Sequence, residues 1–321
     1  MMKKAVECIR DNKSFLVTMH VNMEGDAVGA ALAFCLLAEK LGKKTAVIND
    51  DPVPQVYSFL PGTSRITRTP ARPLSGFDCF VAVDCSDLKR CGKAGEAARG
   101  AQCVLNIDHH VSNVKFGSVN WVDPSSSSAS EMIYDLYRKM KVPFDRDSAL
   151  LLYTGIMTDT GSFRYTNTSD RTHLAAAEMM RCGAAPADVY RRIYEASSFS
   201  DMQALARILG TMKKDQSGKL VWFAVERSMM PRRRMSMDLT EQILSYARSV
   251  KEAEVVVLFR ENFGVQGGIR VNFRSRGRID VNNIAGMFGG GGHATASGCT
   301  VAGGMKAAVR KVLSAVKGKI L

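Results

Sequence analysis

Histidine and carboxylate side chains follow three short apolar segments of the chain, where they could bind metal ions. They are His20, Glu24 and Asp26 after residues 15–19, Asp84 after residues 80–83, and Asp108, His109 and His110 after residues 104–107. A further acid, Asp159, stands between small and hydroxyl residues after a predicted helix over residues 148–157. Imidazole and carboxylate donors without a thiolate suit Mn²⁺, Fe²⁺ or Mg²⁺ better than structural zinc.

The number of these donors favours two metal ions over one. Two ions about 4 Å apart, bridged by one carboxylate, would use them all, and this arrangement suits in-line displacement at phosphorus. Each motif alone also has a structural explanation, because adjacent histidines after a strand can be turn residues. The combination of the motifs, each at the end of a predicted element, is what indicates a metal centre.

Alternating strand and helix patterns predict an α/β fold that brings these motifs together. Residues 15–19, 45–48, 80–83 and 104–107 are predicted strands, residues 27–41 are a predicted helix, and Ser128 with Glu131 forms a possible capping box that opens another helix. We expect a mostly parallel sheet flanked by helices. The carboxyl ends of parallel strands lie along one edge, where such folds bind ligands.

The second half of the chain predicts a smaller α/β domain. Its predicted strands are residues 220–225, 254–259 and 268–273, and its predicted helices are residues 240–250, 281–287 and 305–316. We therefore predict a metal-binding catalytic domain over residues 1–185, a helical linker over residues 186–212 and a substrate-binding domain over residues 213–321.

Positive charge is concentrated in the last third of the chain. The 321 residues carry a net charge of +13, with 24 basic and 22 acidic residues up to position 200, and 20 basic and 9 acidic residues after it. Such an excess favours an anionic partner such as nucleic acid, a phosphorylated small molecule or a membrane surface. The 46% of hydrophobic residues excludes wholesale disorder.

A glycine run and a group of arginines in this basic region could bind phosphates. Gly289 to Gly292 precede His293, and consecutive glycines expose backbone amides that can wrap an anion. Upstream, alternate positions carry Arg270, Arg274, Arg276 and Arg278. If one strand held them all, they would form one cationic face. A flexible loop and a solvated basic edge are the structural alternatives.

The cysteines and the apolar segments indicate a cytoplasmic location. The eight cysteines include no C-x-x-C pair, which favours buried, reduced thiols over a zinc ribbon or a redox site. The first residues lack the apolar core of a signal peptide, and no run approaches the roughly 20 apolar residues that cross a bilayer. We expect no membrane association.

Taken together, these motifs resemble the DHH phosphoesterase superfamily, in the branch that carries a DHHA1 domain. The segment from His20 to Asp26, then Asp84, Asp108-His109-His110 and Asp159 match the family motifs in order, and the glycine run with His293 matches the DHHA1 signature. The chain is most similar to the bacterial nanoRNase and 3′-phosphoadenosine-5′-phosphate (pAp) phosphatase group. The resemblance implies that the metal is manganese, as two ions per chain, with Mg²⁺ or Fe²⁺ as alternatives, and that a homodimer forms.

The resemblance also implies a role for each residue. One ion would be held by His20, Glu24 and Asp84, and the other by Asp26, Asp84, His109 and Asp159. His110 would lie near the scissile phosphate and Asp108 would orient the histidines. The nucleotide would be bound by Arg274, Ser275, Gly291, Gly292 and His293. The family commonly has Asp where this chain has Glu24, which makes Glu24 the least secure ligand.

The function implied is a two-metal phosphoesterase that converts short RNA or DNA oligonucleotides to mononucleotides and dephosphorylates pAp. A phosphodiesterase for linear or cyclic dinucleotides, pApA or cyclic di-AMP, is the nearest alternative, since the same catalytic centre would serve both. A polyphosphate or pyrophosphate hydrolase is a second alternative. A non-catalytic nucleic-acid-binding protein, suggested by the basic C-terminal third, is a third.

Overall fold

The computed structural model describes residues 1–71, 76–229, 237–261 and 267–320. The chain divides into two compact units, Met1–Ile193 and Tyr194–Leu321. The domain boundaries after residues 185 and 212, which the sequence predicts, remain a prediction.

A parallel sheet forms the centre of the N-terminal unit. Its six strands in the described residues run in the order β3-β2-β1-β4-β5-β6. They are β1 (Ser14–Met19), β2 (Lys44–Asn49), β3 (Ile66–Arg68), β4 (Cys79–Val83), β5 (Cys103–Asp108) and β6 (Val119–Val122). The apolar runs that predict β1, β4 and β5 form strands within one residue of the expected bounds. The predicted fold class is confirmed.

Helices flank this sheet, and glycines let three of them pack closely. The helices are α1 (Met2–Asp11), α2 (Gly25–Lys40), α3 (Ala129–Met140), α4 (Arg146–Asp159), α5 (Asp170–Arg181) and α6 (Pro186–Tyr194). A Cβ atom on Gly29 of α2 would lie 2.5 Å from the Leu151 carbonyl oxygen of α4, and one on Gly155 of α4 would overlap Ser130 Oγ. Glycine at these positions therefore lets α4 approach both α2 and α3.

The C-terminal unit is built on a mixed sheet. Among the described residues its strand order is β11-β12-β10-β9-β8-β7, and only the β8–β9 pair is parallel. The strands are β7 (Lys213–Lys214), β8 (Leu220–Val225), β9 (Val255–Glu261), β10 (Ile269–Ser275), β11 (Gly291–Gly292) and β12 (Ala296–Val301). The helices are α7 (Phe199–Leu209), α8 (Met237–Arg248), α9 (Val281–Gly286) and α10 (Met305–Ile320).

Both faces of this second sheet are covered, which explains its continuous apolar strands. Val257 of β9 belongs to a buried cluster with Ile284 of α9 and Val312 of α10. Its neighbour Leu258 points to the opposite face and belongs to a cluster with Ile243 of α8. A strand buried on both faces has an unbroken apolar run in its sequence, as residues 255–259 do.

The start of α3 differs in one respect from the sequence prediction. Ser128 Oγ accepts a hydrogen bond from the Glu131 amide at 3.0 Å, as expected. The Glu131 side chain does not complete the capping box, because it is buried and accepts hydrogen bonds from the Ser127 amide at 3.2 Å and from Thr172 Oγ1 at 2.9 Å. That half of the prediction is wrong, since α5 offers Glu131 better partners, including Arg171 Nε at 3.2 Å.

Among the described residues, no helix is both long enough and apolar enough to cross a membrane.

Candidate metal centre

Adjacent strands and two helix termini bring the predicted metal ligands together at one edge of the parallel sheet. His20 follows β1, Asp84 follows β4 and His109 follows β5, and these three strands are neighbours in the sheet. Asp26 lies in the first turn of α2, and Asp159 is the last residue of α4. The helix thus extends through Asp159, which the sequence placed after the helix.

Asp84 occupies the middle of this group. Its Oδ2 lies 3.3 Å from His20 Nε2, and its Oδ1 lies 3.5 Å from His109 Nε2. Asp84 has a positive φ of 59°. Its amide donates to the Ile107 carbonyl at 2.9 Å, a bond that fixes this turn beside β5. Burial alone would raise the pKa of the Asp84 carboxyl, but His109 and His20 hold it well below its usual range.

Asp26 binds the amino terminus of α3. Its two carboxylate oxygens accept hydrogen bonds from the Ala129 amide at 2.7 Å and the Ser130 amide at 2.8 Å. Those bonds leave Oδ2 only 3.9 Å from His109 Nε2. Burial, followed by the nearby charge of Asp84, raises the pKa of Asp26 to about 6. The side chain is therefore fixed before any ion binds.

His109 is oriented by a carbonyl group and faces three carboxylates. Its Nδ1 lies 3.3 Å from the Ser126 carbonyl oxygen, the usual second partner of a metal-binding imidazole. Its Nε2 lies 3.5 Å from Asp84 and 3.6 Å from Asp159. Burial alone would lower the pKa of His109, but Asp159, Asp84 and Asp26 raise it well above its usual value.

Asp159 is held by a side chain that the sequence analysis did not single out. Asn167 Nδ2 lies 3.4 Å from Asp159 Oδ2 and donates to the Ser127 carbonyl at 2.8 Å. Burial and the charges of Asp26 and Asp84, only partly offset by His109, raise the pKa of Asp159 well above its usual value. An asparagine eight residues from Asp159 gives no signal in a single sequence.

His110 and Asp108 form a buried pair beside these ligands. His110 Nδ1 lies 2.7 Å from Asp108 Oδ1, and Asn113 Nδ2 donates to Asp108 Oδ2 at 2.6 Å. Burial alone would raise the pKa of Asp108, but the His110 hydrogen bond lowers it. On the other side of the ring, Arg90 Nη1 lies 3.2 Å from His110 Nε2. Arg90, which the sequence analysis missed, adds a fixed positive charge next to His110.

Glu24 differs from the other predicted ligands in its exposure. It occupies the N-cap position of α2 with an extended backbone, and it makes no side-chain capping hydrogen bond. It is exposed, whereas His20, Asp26, Asp84 and His109 are buried. Its charge still raises the pKa of His20, behind the larger contribution of Asp84.

The donors in this group fit divalent metal ions. Asp84 Oδ1 is buried and, among the described residues, has no hydrogen-bond donor of regular geometry. One oxygen or nitrogen atom each from Asp26, His109 and Asp159 lies within 4.8 Å of the other two. A buried, unsatisfied carboxylate oxygen facing imidazoles costs free energy that a cation would recover. These residues could therefore hold divalent ions.

The predicted phosphate-binding residues meet at one end of the C-terminal sheet. Arg274 pairs with Ala296 across β10 and β12, and Gly292 pairs with Ser297 across β11 and β12. The turn between β11 and β12 contains His293, whose amide donates to the Ala296 carbonyl at 2.7 Å. The structure thus places Gly291 and Gly292, the second half of the glycine run, in a short hairpin.

One of the C-terminal expectations needs correction. Strand β10 ends at Ser275, so Arg276 and Arg278 do not continue the face that carries Arg270 and Arg274. Arg276 donates at 3.0 Å to the Val250 carbonyl, and Arg278 lies 3.3 Å from Glu254 Oε1. Ser275 is buried, and its Oγ accepts a hydrogen bond from the Gly277 amide at 3.2 Å.

Known proteins resemble the chain over both of its units. The DHH family, N-terminal domain, matches residues 14–156, and the DHHA1 domain matches residues 228–320. A Thermus thermophilus protein named bifunctional oligoribonuclease and PAP phosphatase NrnA is 30% identical over 306 residues, which span 95% of this chain and 89% of that protein. The chain belongs to the DHH family. The prediction of a DHH-family hydrolase with a DHHA1 domain is confirmed.

A second relative in sequence agrees with this assignment, and a solved structure shares the fold. A Bacillus subtilis protein of the same name is 25% identical over 292 residues, 90% of this chain and 89% of that protein. The solved structure of an exopolyphosphatase-related protein from Bacteroides fragilis matches with a TM-score of 0.88 and 24% identity, over 99% of this chain and 95% of that chain. The similarity to the Bacteroides fragilis structure concerns the fold.

Proposed function

We propose that this DHH family member hydrolyses short RNA oligonucleotides to mononucleotides and dephosphorylates pAp, with two Mn²⁺ ions in its N-terminal unit. The observation that carries the proposal is the convergence of His20, Asp84 and His109 with Asp26 and Asp159, at separations of 3.3 to 3.9 Å. The names of the T. thermophilus and B. subtilis relatives support the choice of substrates.

Two overlapping sets of ligands would hold the ions, with Asp84 shared between them. His20, Glu24 and Asp84 form the first set. The second set consists of Asp26, Asp84, His109 and Asp159. Asp84 suits the shared position because its two oxygens face different histidines. Bound divalent ions would neutralise phosphate charge and lower the pKa of water.

The chain's own residues supply orientation and positive charge. Asp108 fixes the His110 ring through Nδ1, which leaves Nε2 facing Arg90. His110 and Arg90 together would stabilise the negative charge that develops on the scissile phosphate. Asn167 and the Ser126 carbonyl would keep Asp159 and His109 in position during turnover.

The C-terminal unit would bind the rest of the substrate. Arg274, His293 and the backbone of Gly291 and Gly292 lie at one end of its sheet, and the basic residues after position 200 attract phosphates. Ser275, which is buried, would act by holding the Gly277 turn. We retain residues 1–185 as the catalytic domain, residues 186–212 as the linker and residues 213–321 as the substrate-binding domain. We also propose that the protein is cytoplasmic and that it forms a homodimer.

A substrate panel tests this function. Purified protein with Mn²⁺ is incubated with a labelled RNA dinucleotide, pAp, pApA, cyclic di-AMP and a long single-stranded RNA. We expect rapid release of mononucleotides from the dinucleotide and of phosphate from pAp, both stopped by a chelator. Intact dinucleotide and intact pAp would contradict the proposal. Faster turnover of cyclic di-AMP would point to the signalling alternative.

A further inference from the structure

We propose that Cys8, Cys79 and Cys103 form a second metal site, which binds one thiophilic cation of the Zn²⁺ or Cu⁺ class. Cys79 begins β4 and Cys103 begins β5, whereas Asp84 and His109 follow the ends of these same strands. The thiols therefore lie at the opposite edge of the sheet from the carboxylates. The inference is independent of the function proposed above.

The three sulfur atoms converge from three separate parts of the chain. Cys79 and Cys103 are direct partners in the parallel register of β4 and β5, so their side chains share a face of the sheet. Cys8 on α1 covers this face. Its Sγ lies 3.1 Å from Cys103 Sγ and 3.8 Å from Cys79 Sγ, and all three sulfurs lie within 4.8 Å of one another.

The Cys8–Cys79 separation of 3.8 Å suits two thiolates on a single ion, whereas the Cys8–Cys103 separation of 3.1 Å would have to widen by about 0.7 Å as the ion binds. With a metal–sulfur bond of about 2.3 Å, simple geometry places the sulfurs of a tetrahedral or trigonal site about 3.8 to 4.0 Å apart. Sulfur ligands without imidazole or carboxylate select soft cations such as Cu⁺ and Zn²⁺ over Mn²⁺ or Mg²⁺. The thiol site should thus prefer soft cations, whereas the carboxylate centre should prefer harder ions such as Mn²⁺ or Mg²⁺.

The Cys8 hydrogen bond and burial raise the pKa of Cys79, and burial raises that of Cys103, so a bound ion would have to displace these protons. Asn12 Nδ2 lies 3.6 Å from Cys8 Sγ, and Ser118 Oγ lies 3.8 Å from Cys103 Sγ, so both groups can donate to a negatively charged sulfur. Cys79 is fully buried, whereas Cys103 is partly exposed and gives an ion a path from solvent. Binding requires no oxidant, because each thiol releases its proton to water as the metal–sulfur bond forms.

A bound ion would tie the first helix to the sheet. Helix α1 contacts β5 and β6, and only Cys8 brings a metal-binding sulfur from it to the strands. Three bonds from one ion to α1, β4 and β5 would link the amino terminus to two central strands. We therefore expect the loaded protein to unfold at a higher temperature than the same protein without a thiophilic ion.

The experiment titrates reduced, full-length protein with Cd²⁺ while Mn²⁺ is present in excess. We expect a thiolate-to-cadmium absorption band that saturates at one equivalent, together with protection of Cys103 from alkylation and a higher unfolding temperature. Cys103→Ser should lose the absorption band and the rise in unfolding temperature. The matched control Cys182→Ser, which changes another partly exposed thiol, should keep them. If Cys103→Ser fails to fold, Cys8→Ser replaces it.

The competing cation is then identified by displacement. Loss of the cadmium band on addition of Zn²⁺ or of Cu⁺ names the preferred ion and supports the proposal. The proposal is overturned if no band forms, if the band survives in Cys103→Ser, or if neither cation displaces Cd²⁺. The first two results would identify the cluster as packed neutral thiols, and the third would show a site that prefers neither Zn²⁺ nor Cu⁺. All three would leave the hydrolase proposal untouched.

Discussion

His109 Nε2 lies 3.5 Å from Asp84 Oδ1, although the two residues follow different strands. The distance exists because β4 and β5 are parallel and in register, so that their carboxyl ends finish side by side. Asp84 turns back through a positive φ of 59° and hydrogen bonds to Ile107, the residue two positions before His109. The sheet itself therefore sets the geometry of the candidate metal centre.

Asp26 and Glu24 should contribute unequally to this centre. Asp26 is buried and held by two amides of α3, whereas Glu24 is exposed at the start of α2. A buried charge interacts more strongly with an ion than an exposed one, so we expect Asp26→Asn to weaken Mn²⁺ binding far more than Glu24→Gln. Calorimetric titration of both variants with Mn²⁺ measures the difference. Equal losses would show that the exposed carboxylate is as important as the buried one.

The metal-free protein should become less stable as the pH rises past the pKa of Asp26. Burial and the charge of Asp84 raise the pKa of Asp26 from 3.8 to about 6. A carboxyl whose pKa is higher in the folded state stabilises the fold fully below about pH 4, and this contribution is lost as the pH rises through about 6. The loss is on the order of 3 kcal/mol for a shift of this size.

Denaturant unfolding in a chelator, at several pH values, measures this loss. Asp26→Asn carries no titrating group at this position, so its stability should fall less between about pH 4 and pH 6 than that of the unaltered protein. Identical pH profiles for the two proteins would contradict the assignment of the raised pKa to Asp26.

Much of this arrangement could be predicted from the sequence because it depends on local patterns. Apolar runs mark β1, β4 and β5, and the polar residues that follow them mark the ligands. The α2–α4 approach could not be foreseen, since it depends on Gly29 and Gly155 meeting atoms of distant residues. Asn167 and Arg90 were missed for the same reason. Arg276 and Arg278 were misplaced because alternation along a sequence does not reveal where a strand ends.

Arg274 should contribute more to substrate affinity than a basic residue elsewhere in the same unit. It lies on β10 opposite Ala296, beside the turn that contains His293. Loss of one charge-assisted contact to phosphate removes on the order of 1.5 to 3 kcal/mol, so Arg274→Gln should raise the KM for pAp by roughly tenfold or more. Steady-state kinetics provides the test.

The control for this variant is Arg310→Gln, which removes the same charge from an exposed position on α10. Its KM should change little at moderate ionic strength, because exposed charges are screened by salt. An equal rise in KM for both variants would indicate general electrostatic attraction instead of a contact made by Arg274.

The most direct test of the central claim is the Mn²⁺-dependent hydrolysis of a labelled RNA dinucleotide and of pAp by Asp84→Asn. The control is Asp188→Asn, which removes one negative charge from the partly exposed ion pairs that Asp188 makes with Arg191 and Arg192 on α6. Since Asp84 would be shared by both ions, we expect the first variant to lose both activities and to keep its fold, while the second retains them. Full activity in Asp84→Asn would contradict the two-metal account.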